Sequence, residues 1–536
     1  MKFNIPYGLH ASFLHSDEDD EIEEEKDTGC ISESSPSGAD EATTKDSRDN
    51  SDKNNKSFSH HRTSSTHFLA ICDSCQQEKS PHELATSVTS RVKERFRESL
   101  SPSLVYDYEY KDLIAPFKTT EIVLGRKLGS GEFSHVYQVK SFRLDRKIEG
   151  SISIEQAEIR QLIKGREKYR DTKKSSFALK HLRPELVAKY KPAEYAQFAS
   201  DLVQEAEFLS VLQHPNIIKL RGISLMESSG FQQGPKGYFL IIDRLEETLD
   251  NRIAKWKGAT KPSRRSSRLL IKSTKKNDEE DGSAAKQLLS QQLNVVLQIA
   301  AAMVYLHEKN IIFRDLKPAN VGFDVRGDAK LFDFGLARIM PSNGDSYNDR
   351  FEMSGAGSPR YMAPEVLRSE PKYNLKADVY TFNLVLWEVL ALEKPFLFAR
   401  RREALIDYVC EYETKCISFG LLPRLKSCCS LILPVKEGGR QDIKEEWPSS
   451  IKELLQMNFD ISPDKRSSMK YIFETIRSEL CQVRGGDNSR LRTSYLLRRR
   501  TVDSMVNQDV SAETNPRRPG GKLRSSITKF GWQFSI

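Results

Sequence analysis

Cysteine is scarce in this chain. Eight stand among 536 residues, too few for a disulfide-held scaffold, so a reducing compartment is expected. Long hydrophobic runs are missing as well: no stretch of about 18 uncharged apolar residues occurs, and no transmembrane segment is predicted. The opening Met1–His15 lacks the unbroken apolar core of a secretory signal, and an acidic run follows at once. Neither sign of charge dominates, with 83 Lys plus Arg against 75 Asp plus Glu, and 38% of residues are hydrophobic. These shortages argue against a secreted mini-scaffold and a helical membrane channel, and a soluble protein of the cytoplasm or nucleus is expected. The length allows one large globular domain with appendages, or two to three smaller ones.

The chain is uneven along its length. Residues 1–117 read as mostly disordered, because Asp17–Asp27 holds nine acidic residues in eleven and Ser, Thr, Asn and Asp dominate as far as Thr66. Within that region Val88, Val92, Phe96 and Leu100 recur every fourth residue, which predicts a helix near 87–100 that docks on the main body. From Lys118 to Val483 the texture is that of a folded domain. Strand patterns come first, at Glu121–Ser130, Ser134–Lys140, Phe177–Leu182 and Gly237–Asp243; helical periods follow at Tyr195–Leu212 and Leu288–Leu306. Strands before helices predict an α+β body with two unequal lobes. Basic insertions at 145–175 and 255–286 interrupt it, the second with nine basic and no acidic residues over Lys255–Lys276. Loops of that length inside a domain are expected to be functional or disordered. Residues 484–536 form a basic tail with no apolar period.

Candidate chemistry begins with Gly129-Ser130-Gly131, placed after a strand. Such a turn lets a hairpin backbone approach phosphate oxygens with its N–H groups, although an ordinary β-turn looks the same. Phe177-Ala178-Leu179-Lys180 then ends a strand on a lysine. Most sharply, Phe313-Arg314-Asp315-Leu316-Lys317-Pro318-Ala319-Asn320 is followed by Asp333-Phe334-Gly335 and by Ala363-Pro364-Glu365.

In that order these motifs resemble a eukaryotic protein kinase over residues 118–483. The resemblance implies a bilobal protein kinase fold, with a small β-rich N-lobe and a larger helical C-lobe, and a phosphotransferase that uses ATP and Mg²⁺ on protein substrates. Gly129, Ser130 and Gly131 would cover the nucleotide phosphates. Lys180 would hold the α- and β-phosphates, oriented by Glu205, with Glu207 the runner-up on a solvated face. Asp315 would serve as base, Lys317 would assist it, and Asn320 and Asp333 would hold the metal. Val136 and Ala178 would cap the adenine, Ile242 would be the gatekeeper, and Asp243, Arg244 and Leu245 the hinge. Lys317 resembles the serine/threonine pattern. Gly357–Glu365 and Asp378–Glu388 resemble the tyrosine kinase-like group. Glu365 is expected to pair with Arg466. Leu209, Leu220, Phe334 and Phe313 match a hydrophobic spine anchored by Asp378.

Several positions depart from the family pattern. Phe313 stands in place of His, Ser134 in place of the third loop glycine, and Asn383 where related chains carry Gly. Gly322 replaces a Leu-like floor residue, and Phe332 or Phe323 is expected to fill the vacated space. Phe313 and Gly322 keep a second reading open, that of a kinase-fold scaffold with vestigial turnover. Ser354, eleven residues before Glu365, is the expected activating phosphosite, its phosphate meeting Arg314 and Arg338; Ser346, Tyr347 and Ser358 are weaker candidates. The basic insertion and tail invite acidic docking partners, and nothing in the sequence marks a specific nucleic-acid module. Cys72 and Cys75 have half of a zinc-site spacing, with His67 and His82 nearby, but no second cysteine pair follows, so zinc is not expected.

Overall fold

A computed structural model of the chain describes residues 80–109, 114–166, 175–225, 230–260, 277–341, 346–368, 370–396 and 441–485. Cys72, Cys75, Cys428, Cys429, the core of the second basic insertion and the tail lie outside them. The described body has two lobes. The small lobe comprises α1 (Pro81–Ser99), α2 (Pro102–Glu109), β1 (Ala115–Phe117), β2 (Ile122–Ser130), β3 (Ser134–Phe142), α3 (Arg146–Glu149), α4 (Ile154–Gly165), β4 (Phe177–Leu182), α5 (Leu186–Lys189), α6 (Pro192–Val211), β5 (Leu220–Ser224) and β6 (Phe239–Asp243). Its six strands run in the order β1-β5-β6-β4-β3-β2, and β1 is parallel to β5 while the other neighbours are antiparallel.

The helix expected near 87–100 starts earlier. Ser80 Oγ accepts from Glu83 N and the Glu83 carboxylate accepts from Ser80 N, a capping box with Pro81 in the first turn, which fixes the start of α1. Leu84, Ala85, Val88 and Phe96 bury their side chains, and the helix lies along α6. Each large apolar member of that face contributes on the order of 1.5–3 kcal/mol. The strand Ala115–Phe117 also precedes the expected start at 118, and it pairs with Gly222–Ser224. The first insertion carries α3 and α4 rather than an open loop. Arg160 of α4 is fully buried, donates to Pro116 O at 2.8 Å and pairs with Glu121, which clips the insertion onto the sheet.

The large lobe comprises β7 (Glu247–Thr248), α7 (Leu249–Thr260), α8 (Asn277–Glu308), β8 (Ile311–Ile312), β9 (Val321–Phe323), β10 (Ala329–Leu331), β11 (Arg338–Ile339), β12 (Phe351–Glu352), β13 (Lys372–Tyr373), α9 (Lys376–Ala391), α10 (Ser449–Asn458) and α11 (Met469–Val483). Helix α7 continues to Thr260 and α8 begins at Asn277, so each reaches into the span expected as the second insertion. Within α8, Gly282–Glu308 is long and apolar enough to cross a membrane, but 61% of its most apolar window is buried in the protein, as in a core helix. Every residue of α9 is buried, so it forms the lobe's centre. There Asn383 donates to Leu455 O at 3.0 Å, a bond to α10 that a glycine could not make. The short sheet β10-β9-β7 closes the large lobe beneath the inter-lobe crossing.

Candidate active site

Strand register assembles the upper wall of the cleft. Gly129 faces Val136, Val136 faces Lys180, and Ala178 faces Ile242. Gly131 N donates to Ser134 O at 2.9 Å and closes the glycine-rich turn. A side chain on Gly129 would meet nothing within 4 Å, so open space lies over that backbone. Phe133 at the turn's tip stacks on Phe198 of α6, with ring centroids 4.2 Å apart.

Lys180, 7% exposed, donates to Glu205 at 2.6 Å and to Asp333 at 3.0 Å. Burial opposes its charge, but the facing carboxylates of Asp333 and Glu205 outweigh burial and raise its pKa above the usual lysine range. Asp333 is pushed up by burial and pulled below its ordinary value by the Lys180 ammonium. Its side chain remains 45% exposed, so this carboxylate faces water in the cleft. Glu207, the runner-up for Lys180, is not a solvated residue. It is 2% exposed and accepts from Tyr108 OH at 3.4 Å, on the side of α6 facing the N-terminal helices.

The lower wall comes from one loop and the segment that returns over it. Asn320 donates to Asp315 Oδ2 at 2.8 Å and to Asp315 O at 2.9 Å. Lys317 Nζ lies 3.0 Å from Asp315 Oδ2 and donates to Ser358 Oγ at 2.6 Å. Burial opposes the Lys317 charge, and Asp315 more than offsets it, so this lysine is also raised. Ser358 reaches Asp315 through its backbone N–H, at 2.9 Å, while its hydroxyl serves Lys317. Arg314 and Asp333 adopt left-handed backbone conformations, with φ of 69° and 68°. Such strain costs about 1–3 kcal/mol per residue and must be held by neighbours. Asp378 holds the first: it accepts from Phe313 N at 2.8 Å and Arg314 N at 2.9 Å. The Phe313 ring packs edge-on against Phe334, with centroids 5.0 Å apart. An imidazole still reaches Asp378, supplied by His307 at 3.1 Å. Leu209, Phe313 and Phe334 are buried, and Leu220 packs against the same core.

Several contacts in the cleft carry no motif. Gln204, next to Glu205, donates to Gly335 O and to Ala337 O, both at 2.7 Å, and accepts from Arg338. A single buried amide therefore fastens α6 to the backbone after Asp333. Arg338 turns to Gln204 rather than to Ser354, whereas Arg314 Nη1 lies 3.5 Å from Ser354 Oγ. Asp243 points away from the cleft and takes a two-pronged bond from Arg221, at 2.7 and 2.9 Å, so only its backbone adjoins the inter-lobe crossing. Finally, the space above Gly322 is filled by Leu245, not by Phe332 or Phe323. Phe323 cannot serve because it faces the opposite side of β9, where Arg252 lies 3.4 Å from its ring centre. Single glutamines and leucines leave no spacing signal, so their contacts are not legible in the sequence.

A buried lysine between two carboxylates, set across a cleft from an aspartate, a lysine and an asparagine, can position phosphate groups and neutralise their charge. A model of the protein kinase domain matches residues 164–476, more than half of the chain, and the chain belongs to the protein kinase family. It is 30% identical over 198 residues to serine/threonine-protein kinase STY17 of Arabidopsis thaliana, 37% of this chain and 29% of that protein. It is 26% identical over 300 residues to receptor-interacting serine/threonine-protein kinase 1 of Homo sapiens, 54% of this chain and 36% of that protein. Over 118 residues it is 42% identical to serine/threonine-protein kinase CTR1 of Arabidopsis thaliana, 21% of this chain and 14% of that protein. The chain thus spans well under half the length of these relatives. Their company agrees with the tyrosine kinase-like features of Gly357–Glu365 and Asp378–Glu388.

Proposed function

We propose that the chain is an ATP-dependent protein serine/threonine kinase that transfers the γ-phosphate to protein hydroxyl groups in signalling. The observation that carries this reading is the Asp315–Lys317–Ser358 arrangement facing the Lys180–Glu205–Asp333 cluster. Phosphoryl transfer asks for positioning and charge neutralisation more than for covalent help. Lys180, held by Glu205, would bind the α- and β-phosphates, under the backbone of Gly129, Ser130 and Gly131. Asp333 and Asn320 offer the oxygen donors that Mg²⁺ prefers, and the ion would neutralise charge on the phosphates. Asp315 would orient and accept the substrate's hydroxyl proton, worth about 10²–10⁴-fold. Lys317, charged and anchored on Ser358, would sit beside that reaction centre.

The test is transfer of labelled phosphate from ATP with Mg²⁺ to the protein itself and to a generic protein substrate, followed by phosphoamino-acid analysis. Wild-type protein should yield phosphoserine or phosphothreonine, lost in Lys180→Met. Phosphotyrosine would contradict the serine/threonine assignment. The rival reading, a scaffold without turnover, rests on Phe313 and Gly322. The packing of Phe313 on Phe334 and of Leu245 over Gly322 speaks against it. Ser354 would act as the activating phosphosite, with Arg314 already at hand. Ser354→Ala should lower activity about tenfold relative to phosphorylated wild type, and undiminished activity would exclude that role.

A further inference from the structure

We propose that Leu245, at the crossing between the lobes, forms the floor of the nucleotide-base pocket in place of the side chain that Gly322 lacks. The inference rests on the ATP-dependent reading above and names the residue that fits the cleft to a planar purine.

Strand alternation supplies the direction. Phe323 is fully buried and lies against the Arg252 guanidinium of α7, inside the large lobe. Successive residues of a strand face opposite sides, so position 322 faces the cleft. A Cβ placed on Gly322 would lie 2.4 Å from Leu245 Cδ1, 3.2 Å from its Cγ and 3.3 Å from its Cβ. The leucine already occupies that volume, and only glycine lets it come so close. Its neighbours hold it there: Arg244 N donates to Ser176 O at 2.9 Å, and Glu246 N donates to Phe323 O at 2.8 Å. One bond ties the crossing to the small lobe and the other to β9. Leu245 packs half-buried on the core that also holds Ala178 and Val136. Ala178 is in register with Ile242, three residues before Leu245. The apolar surface a purine would rest on therefore belongs to the crossing segment rather than to the catalytic loop.

The test is a reciprocal exchange in the full chain, read as binding of Mg²⁺–ATP and, separately, of adenosine by competition against a fluorescent nucleotide. Thermal unfolding of each variant is recorded alongside. Leu245→Ala should weaken both ligands by the same factor, roughly tenfold, since it removes apolar contact to the base alone. Gly322→Leu should also weaken both, by overpacking against Leu245. Leu245→Ala combined with Gly322→Leu should recover binding to within about threefold of wild type, a non-additivity expected only of residues sharing one space. If Gly322→Leu alone does not fold, Gly322→Ala takes its place, and folding of the double variant counts as the same recovery. Unchanged binding by Leu245→Ala, loss confined to ATP, or a double variant no better than the single ones would overturn the inference. Wild-type protein that binds neither ligand would overturn the ATP-dependent reading itself, and this floor with it.

Discussion

Arg466 in the large lobe satisfies each of its five guanidinium N–H groups. It makes a two-pronged bond to Glu365, at 2.7 and 2.9 Å, and further bonds to the carbonyl oxygens of Asp460, Lys376 and Ile461. Arg160 in the small lobe is equally buried, but its Nε has no hydrogen-bond partner among the described residues. Its partner is better supplied. Glu121 also accepts from Asp145 N at 2.7 Å and Lys118 N at 2.9 Å, so backbone donors share the carboxylate with the arginine. One pair makes the arginine indispensable to its carboxylate, while the other spreads the carboxylate's needs over the chain. A buried ion pair is therefore judged by what remains when one partner goes, not by its existence.

Removing each arginine should expose the difference. Arg466→Met should cost the most, about 3–5 kcal/mol, because Glu365 is left buried without its arginine and three carbonyls lose a donor. Arg160→Met should cost less, about 2–3 kcal/mol, since Glu121 keeps its backbone donors. Urea unfolding of both variants checks this, and equal losses would break the comparison. Glu388 sharpens it further as a buried glutamate whose hydrogen bond comes from Tyr361 OH, at 2.7 Å. Burial pushes Glu388 up to about 7, with the Tyr361 bond opposing. Raised above its unfolded value, this carboxyl contributes stability that is fully present near pH 4 and is lost as pH rises through about 7. Glu388→Gln should flatten that decline and gain on the order of 1 kcal/mol at pH 8. A variant with the wild-type pH slope would place the decline elsewhere.

The same contrast explains what the sequence made legible. Glu365 and Arg466 lie 101 positions apart, yet both sit in short motifs, and their pairing could be named beforehand. Arg160 lies in a polar insertion whose composition resembles a loop, and nothing in Asp145–Ser175 announces that one arginine turns inward. The helix before the domain was visible through Val88 and Phe96, although its start depended on the local Ser80–Glu83 cap. In the cleft, Lys180, Glu205, Asp315, Lys317, Asn320 and Asp333 could be named because they fall in or beside motifs that resemble a protein kinase, and the contacts among them follow. Gln204 and Leu245 could not, because their contacts depend on how the lobes meet. The misplaced filling of Gly322 has the same origin. Phe332 and Phe323 are close in sequence and large, but strand direction sends Phe323 away.

The most direct measurement compares wild-type protein with Asp315→Asn, in Mg²⁺–ATP binding and in phosphate transfer to a protein substrate. Both proteins should bind nucleotide with similar affinity, while transfer by Asp315→Asn falls by about 10²–10⁴-fold. Wild-type protein that binds Mg²⁺–ATP and transfers no faster than Asp315→Asn, even after phosphorylation of Ser354, would contradict the assignment of this cleft as a kinase active site.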